Sequence, residues 1–351
     1  DVAALPQIAR DFEQFKRAMT EYDAKYKREM ERVKRNKRKA KDLKRIPAPA
    51  VPTGIPFQML TALPLTAEQW ADIGRKAGWH MLRMNLNTFA RHGAFDVKGV
   101  TEYVAARLAD KEEIKRAKVF PYQLMAAYAM AEHVPAEIRE ALQDAMEAAI
   151  ANVPQIGGRV VVCPDVSGSM SSPATGYRQG ATSAVRCIDV AALVAAAFMR
   201  TNRPTRVIPF EERVVNLRLN ARDTVMTNAT KLAKIGGGGT NCSAPIEQLI
   251  AEKAKADLVV IVSDNESWID AKPKGRGTGL MLAWDKFKAL NKSAKLVCID
   301  IQPYATTQVV DRSDILNVGG FSDAVFEMIA KFAEGRLSAS HWVGEIEAIE
   351  L

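Results

Sequence analysis

The chain reads as an α + α/β protein, in which a domain of stacked short helices precedes a Rossmann-like α/β domain with a parallel-rich sheet. Three observations predict this. Up to residue 152 the apolar residues recur at steps of three and four, the period of helices that bury one face. From Val160 the texture changes. Short β-branched runs, Val160-Val161-Val162 and Leu258-Val259-Val260-Ile261-Val262, alternate with helical stretches, as in a parallel sheet covered on both faces. Finally, 351 residues with 48% apolar and 26% charged content make a globular chain long enough for two cores.

The first element expected is a basic helix over residues 3–45. Phe12, Phe15, Met19, Tyr22, Tyr26, Met30 and Val33 form an apolar stripe about 100° wide. Residues 16–45 carry fourteen Lys/Arg against five Asp/Glu, a surplus of +9, while the whole chain is +8, so everything else sums to −1. A charge run is often only a solvated face or a frayed tail. So concentrated a stripe repels itself unless phosphate neutralises it, and it points to a polyanionic partner. The candidate phosphate contacts are Lys16, Arg17, Lys25, Arg28, Arg32, Lys34, Arg35, Lys37, Arg38, Lys39 and Lys41. The aromatics of the stripe read as core.

Pro47, Pro49, Pro52 and Pro56 make residues 46–56 a linker or extended strap, since no helix runs through them. Helical pieces follow over residues 57–152. Thr66-Ala67-Glu68-Gln69 has capping-box spacing. Trp79 to Phe89 reads as one helix, closing at Arg91-His92-Gly93. Further helices are expected from Asp96 or Val97 to Leu108, Lys111 to Lys118, Tyr122 to Glu132 and Pro135 to Ile150. Short amphipathic helices joined by tight loops resemble a HEAT-type α-solenoid, without a clean sequence repeat. The helical domain is therefore placed at 1–155. His80, His92 and His133 share no ligand spacing for zinc. Arg83, Arg91 and His92 are candidate phosphate contacts in this region. His92 reads equally well as a helix C-terminal cation.

The α/β domain is placed at 156–335, with a tail, 336–351, expected to fold back on the helical domain. Its organising stretch is Arg159 to Met170, RVVVCPDVSGSM. Asp165, Ser167 and Ser169 alternate beyond the strand, so their side chains point one way, where ligands sit in open α/β sheets. One carboxylate and two hydroxyls suit Mg²⁺ or Mn²⁺, although Asp and Ser also cap helices at such turns. Helices are expected at Asp189 to Met199, Asp223 to Lys234, Leu280 to Leu290 and Ser322 to Glu334. Strands are expected at Thr205 to Phe210, Asp257 to Val262 and Lys295 to Ile301, with a hairpin edge at Val214 to Leu219. The loop Gly236-Gly237-Gly238-Gly239-Thr240-Asn241 lacks the P-loop lysine and does not follow a strand. Its economical use is close backbone approach while placing the Thr240 hydroxyl. Asp264 lies past the end of its strand on the same rim as Asp165.

An Asp-x-Ser-x-Ser loop, a Gly-rich loop bearing Thr and a strand-end Asp resemble the metal-ion-dependent adhesion site of von Willebrand factor A domains. The resemblance implies that Asp165, Ser167, Ser169, Thr240 and Asp264 coordinate Mg²⁺ (or Mn²⁺) directly or through water. Asn265 and Ser267 would stand behind them, and an acidic group from a partner would fill the open position. Upstream, Leu63-Pro64-Leu65-Thr66, Met81 to Leu86 and Lys115 to Tyr122 resemble the closing part of the helical TROVE module of Ro autoantigen proteins. Gly237 to Ser243 and Asp264 to Ser267 resemble the same family, so that the likeness covers about residues 55–333. About 155 residues precede the A domain, fewer than a Ro helical module holds, which identifies a shortened or N-terminally truncated member. The first residue is Asp, so the start is expected to be processed, trimmed or a fragment boundary.

The resemblance implies a non-enzymatic RNA-binding protein that holds small noncoding Y-like RNA and misfolded RNA, beside an exoribonuclease in RNA quality control. The alternative is an adaptor whose A domain binds an acidic peptide or an AAA+ ATPase. A metal-dependent hydrolase is the weakest class, because two-metal chemistry wants clustered carboxylates and the rim offers no obvious general base. No apolar run reaches the ~18 residues of a membrane span. Cys163, Cys187, Cys242 and Cys298 are scattered without CxxC spacing, as in the reduced core of a cytoplasmic protein.

Overall fold

The computed structural model describes residues 6–35, 46–175, 184–264, 278–302, 309–310 and 312–337. The chain divides into two compact units, 1–108 with 133–139, and 109–132 with 140–351.

In the first unit, α1 (Gln7–Arg35) buries Phe15, Met19 and Val33 from the expected stripe. The rest of the expected helix, 3–5 and 36–45, lies outside the described residues. The proline strap is not helical, and its Pro49 carbonyl accepts a hydrogen bond from Gln69 Nε2 at 2.6 Å. Two helices follow, α2 (Phe57–Leu60) and α3 (Ala67–Lys76). The capping box forms: the Thr66 N–H donates to Gln69 Oε1 at 2.8 Å, and the Gln69 N–H to Thr66 Oγ1 at 3.3 Å. Trp70 is fully buried, edge-on to Phe57 and Phe89 at ring separations of 6.0 and 6.2 Å.

The single helix expected from Trp79 is two, α4 (Trp79–Met84) and α5 (Leu86–Arg91). Between them Asn85 has φ −116° and ψ 16°, and its side-chain amide donates to the Met81 carbonyl at 2.8 Å. A short polar side chain here competes with the helical ladder, as asparagine does. The next helix, α6 (Val100–Leu108), starts later than expected, after a 3₁₀ turn at Ala94–Asp96 and Gly99 at φ +77°.

The second unit opens with α7 (Lys111–Arg116), α8 (Pro121–Met130) and most of α9 (Ala136–Ala149). This division does not coincide with a domain boundary at 155. Its reason is aromatic packing: Phe120 stacks on Phe326 at 5.9 Å, and Tyr122 meets Phe321 edge-on at 5.0 Å. The Asn152 amide adds a bond to the Val119 carbonyl at 2.6 Å.

The sheet contains β1 (Val160–Pro164), β2 (Thr205–Val207), β3 (Leu258–Ser263), β4 (Lys295–Asp300) and β5 (Ile315–Gly319). All pairs are parallel, in the order β2-β1-β3-β4-β5. The helices are α10 (Cys187–Thr201), α11 (Val225–Ala233), α12 (Ala244–Ala251), α13 (Gly279–Leu290) and α14 (Ala324–Ala333). Alternate residues Val161 and Cys163 of β1, Val259 and Ile261 of β3, and Leu296 and Cys298 of β4 share one core with Ile246, Leu249, Trp284 and Phe287. That period of two is what a sheet buried on both faces requires. The α10 helix is buried on nearly every side, Val190 through Phe198 having no exposure, so its three consecutive alanines Ala195, Ala196 and Ala197 allow close approach from all directions.

Three sequence expectations change here. The regular strand from Thr205 ends at Val207, although the Ile208 and Phe210 N–H groups still donate to the Val162 and Pro164 carbonyls at 2.9 and 3.1 Å and Phe210 bridges Asp165 in parallel. In place of a hairpin at 214–219 there is an isolated antiparallel bridge, Phe210 to Val214. Past β2 the chain stays alongside β1 and the loop that follows it: the Phe210 carbonyl accepts from the Val166 N–H at 2.8 Å. Both α12 and β5 lie in stretches assigned to no element from sequence. The tail beyond 337 lies outside the described residues. All four cysteines are buried free thiols. Among the described residues no helix is long and apolar enough to cross a membrane.

Candidate metal centre and candidate nucleic-acid interface

A parallel sheet ordered 2-1-3-4-5 reverses direction between its first and third strands, and the crevice at their carboxyl ends is the usual ligand position. Asp165 follows β1 and Asp264 follows β3, on the two sides of that crevice. Asp165 has no exposure, and its N–H donates to the Val262 carbonyl at 2.9 Å. Its Oδ1 accepts from the Ser167 N–H at 2.8 Å, and its Oδ2 from Ser263 Oγ at 2.7 Å.

The hydroxyls converge beside it. Thr240 Oγ1 donates to Ser167 Oγ at 2.9 Å, and Ser167 Oγ lies 3.3 Å from Ser169 Oγ. Ser167 and Thr240 are buried, whereas Ser169 is half-buried. The glycine-rich loop brings Thr240 in through backbone contact: the Gly168 N–H donates to the Gly238 carbonyl at 3.2 Å. A Cβ on Gly168 would stand 3.0 Å from the Gly237 carbonyl oxygen. A side chain at the middle residue of Ser-Gly-Ser would press on that carbonyl unless the loop gave way by a few tenths of an ångström.

Burial lifts the Asp165 carboxyl to about 6; hydrogen bonds from Ser167 and Ser263 oppose the rise, and the charge on Asp264 adds to it. Asp300, at the end of β4, is also buried and is pushed up to about 7 by burial and by Asp264. Neither Asp165 nor Asp300 forms an ion pair among the described residues. Buried carboxylate charge without a cation is costly, and a divalent ion held by hard oxygens removes that cost. Among the described residues no three Asp, Glu, His or Cys side chains are grouped to hold an ion alone, so the hydroxyls are needed to complete the set. The donors of Asp165, Ser167, Ser169, Thr240 and Asp264 fit Mg²⁺ or Mn²⁺ on that chemistry. Asn265 and Ser267 lie outside the described residues.

Sequence reasoning missed Ser263, which holds Asp165 from the neighbouring strand, and Asp300. A signal for Asp300 existed: it ends an apolar strand, Leu296-Val297-Cys298-Ile299-Asp300, as Asp264 follows one.

The basic helix sorts its cations into two groups. Lys16 pairs with Glu13 at 3.7 Å, Lys27 with Asp23 at 2.7 Å and Arg32 with Glu29 at 3.8 Å. Arg17, Lys25, Arg28, Lys34 and Arg35 are exposed and form no ion pair among the described residues. Exposed pairs are worth ~0–1 kcal/mol, so even the paired cations remain available to a phosphate. Lys37, Arg38, Lys39 and Lys41 lie outside the described residues.

The three candidates further along are separately placed. Arg83 is half-buried in the last turn of α4, and Arg91 is exposed at the end of α5. His92 caps α5, its N–H donating to the Thr88 carbonyl at 3.1 Å, and its ring stacks on buried Trp70 at 4.4 Å and 12°. These contacts give His92 a structural place at a helix end, one of the two readings of its sequence position.

A family model described as the Ro60 vWA domain matches residues 159–333. The RNA-binding protein RO60 of Deinococcus radiodurans is 26% identical over 310 residues, covering 84% of this chain and 54% of that protein. The RNA-binding protein RO60 of Caenorhabditis elegans is 24% identical over 271 residues, 72% of this chain and 40% of that protein. The crystal structure of the Deinococcus radiodurans RO (RSR) protein superposes with a TM-score of 0.65 at 24% identity, over 82% of this chain and 57% of that one. This chain thus spans about half the length of the curated relatives it matches.

Proposed function

The chain belongs to the Ro family, with a Ro60-type von Willebrand factor A domain at residues 159–333, and from that premise we propose that it is a non-enzymatic RNA-binding protein. Its ligand is a small structured noncoding RNA of the Y-like class, with misfolded RNA as a second ligand and an exoribonuclease as a working partner in RNA quality control. The observation that carries this reading is α1, where five exposed cations that form no ion pair among the described residues stand on one helix in a protein whose relatives are named for RNA binding. Phosphate contacts would supply most of the affinity, and each would contribute a log–log salt slope of roughly −0.9 in duplex regions.

The A-domain rim is proposed to hold Mg²⁺ or Mn²⁺ through Asp165, Ser167, Ser169, Thr240 and Asp264. Held by these residues, an ion would supply a coordination position for an external acidic group. The residues of the chain do the rest: Ser263 and the Ser167 amide fix the carboxylate of Asp165, and Thr240 orients the Ser167 hydroxyl. We place the protein in the cytoplasm. Filter binding of a small structured RNA between about 50 and 200 mM salt tests the RNA reading. A steep loss of affinity supports it, and a flat dependence overturns it.

The rim also favours a second reading, an adaptor whose A domain would bind an acidic peptide or an AAA+ ATPase. Purification separates the two: absorbance at 260 nm in the recovered protein supports RNA, and nucleotide-free material bound to a ring ATPase supports the adaptor.

A further inference from the structure

The face of α1 opposite its buried seam holds a straight line of three arginines. Phe15 and Val33, both buried, are 18 residues apart, about five helical turns, and so share one edge of the helix. Arg17 and Arg35 are also 18 residues apart, each two positions on from a seam residue and therefore about 200° round the axis. Arg28 falls about 20° from the same line. At ~1.5 Å per residue the intervals are roughly 16 Å from Arg17 to Arg28 and 10 Å from Arg28 to Arg35. All three are exposed, and none forms an ion pair among the described residues. Glu21 and Glu31 stand beside the line, which makes the positive potential three separate points rather than a continuous patch.

The aromatic residues of α1 are on the other side. Phe15 is buried, Phe12, Tyr22 and Tyr26 are half-buried, and the Tyr22 and Tyr26 rings lie against each other at 5.9 Å. Proteins that hold unpaired strands combine cationic grooves with exposed aromatic platforms for the bases. The arginine line offers no such platform. It offers widely spaced guanidinium groups on a rigid rod, each suited to bidentate contact with phosphate. A flexible strand must lose conformational entropy to meet three points along ~27 Å, whereas a base-paired stem already holds its phosphates in a fixed frame.

Resting on the RNA-binding reading, we infer that Arg17, Arg28 and Arg35 form a docking line for the phosphate backbone of double-helical RNA. The line selects paired over unpaired RNA by geometry and takes no part in reading bases.

The test uses the full chain and two probes: a hairpin with a perfectly paired stem of about 20 base pairs, and an unstructured uridine-rich strand of equal charge. The triple variant Arg17→Gln/Arg28→Gln/Arg35→Gln is compared with Lys76→Gln/Arg206→Gln/Lys231→Gln, which removes the same charge from acid-paired positions outside α1 and outside the candidate phosphate contacts. The first triple is expected to weaken hairpin binding by about tenfold or more and to flatten the salt slope by about 2–3. The second should cost under about threefold, and the wild type should prefer the hairpin. Circular dichroism checks that both variants remain folded. Equal losses in the two triples would overturn the docking line, because net charge alone would then govern binding. Equal competition by the single strand, or a first triple that binds the hairpin like wild type, would overturn it as well. A wild-type protein that retains neither probe removes the RNA reading itself, and with it this inference.

Discussion

At the scale of single residues, Asp165 is a buried carboxylate that forms no ion pair among the described residues. It is fully buried, receives two hydrogen bonds and faces the charge of Asp264. Mg²⁺ that binds only the folded state at about 100 times its Kd should add ~2.7 kcal/mol, read as a rise in Tm. Asp165→Asn should abolish that response. If neither Mg²⁺ nor Mn²⁺ moves the wild-type Tm, the metal proposal fails. Asp314 shows the opposite balance. Burial raises its pKa, but hydrogen bonds from Arg312 and Trp284, with Lys288 3.6 Å away, hold the carboxyl down at about 2. A folded pKa below the ordinary 3.8 means stability that is present above pH ~4 and lost as pH falls towards 2. Asp314→Asn should therefore lose about 1–3 kcal/mol in urea unfolding at pH 7, and the deficit should shrink on approaching pH 2. A deficit independent of pH would contradict this account.

At the scale of elements, the ends matter as much as the faces. α14 finishes on a side chain from β4: Lys295 Nζ donates to the Phe332 and Ala333 carbonyls at 2.6 and 3.0 Å and lies 5.2 Å from the Phe332 ring centroid. A cation on the last carbonyls satisfies orphan acceptors and complements the helix dipole. Lys295→Met should keep most of the packing but lose about 1–2 kcal/mol, with faster amide exchange confined to the end of α14. Unchanged exchange there would show that the cap is dispensable. The α1 helix was legible as an element from its seven-residue stripe. Which of its cations are paired was not, because pairing depends on rotamers of Glu13, Asp23 and Glu29 that spacing alone leaves open. The break at Asn85 was hidden for a similar reason: the surrounding Met, Leu and Arg favour helix, and one side-chain bond to Met81 decides otherwise.

At the scale of the whole molecule, the compact unit around the sheet takes in residues 109–132. A fragment beginning at 156 would strip Phe120 and Tyr122 from Phe326 and Phe321. Losing a stacked, buried aromatic costs ~3–5 kcal/mol in comparable cores. We therefore expect the 156–337 fragment to unfold at lower temperature than 109–337 and to expose aromatic surface to a hydrophobic dye. Equal Tm values would show that the A domain stands without those helices.

Read alone, the sequence determined the helical-then-α/β order and the core strands, because periodicity and strand-end position are local properties of the chain. It also nominated five rim residues, four of which (Asp165, Ser167, Ser169 and Thr240) the fold links by hydrogen bonds. Tertiary structure decided the rest. The edge strand β5 is too short and mixed to announce itself and exists through pairing with β4. Ser263 and Asp300 gained their places beside Asp165 and Asp264 only when strands far apart in the chain became neighbours. Packing that joins distant residues carries no period, so only the folded chain reveals it.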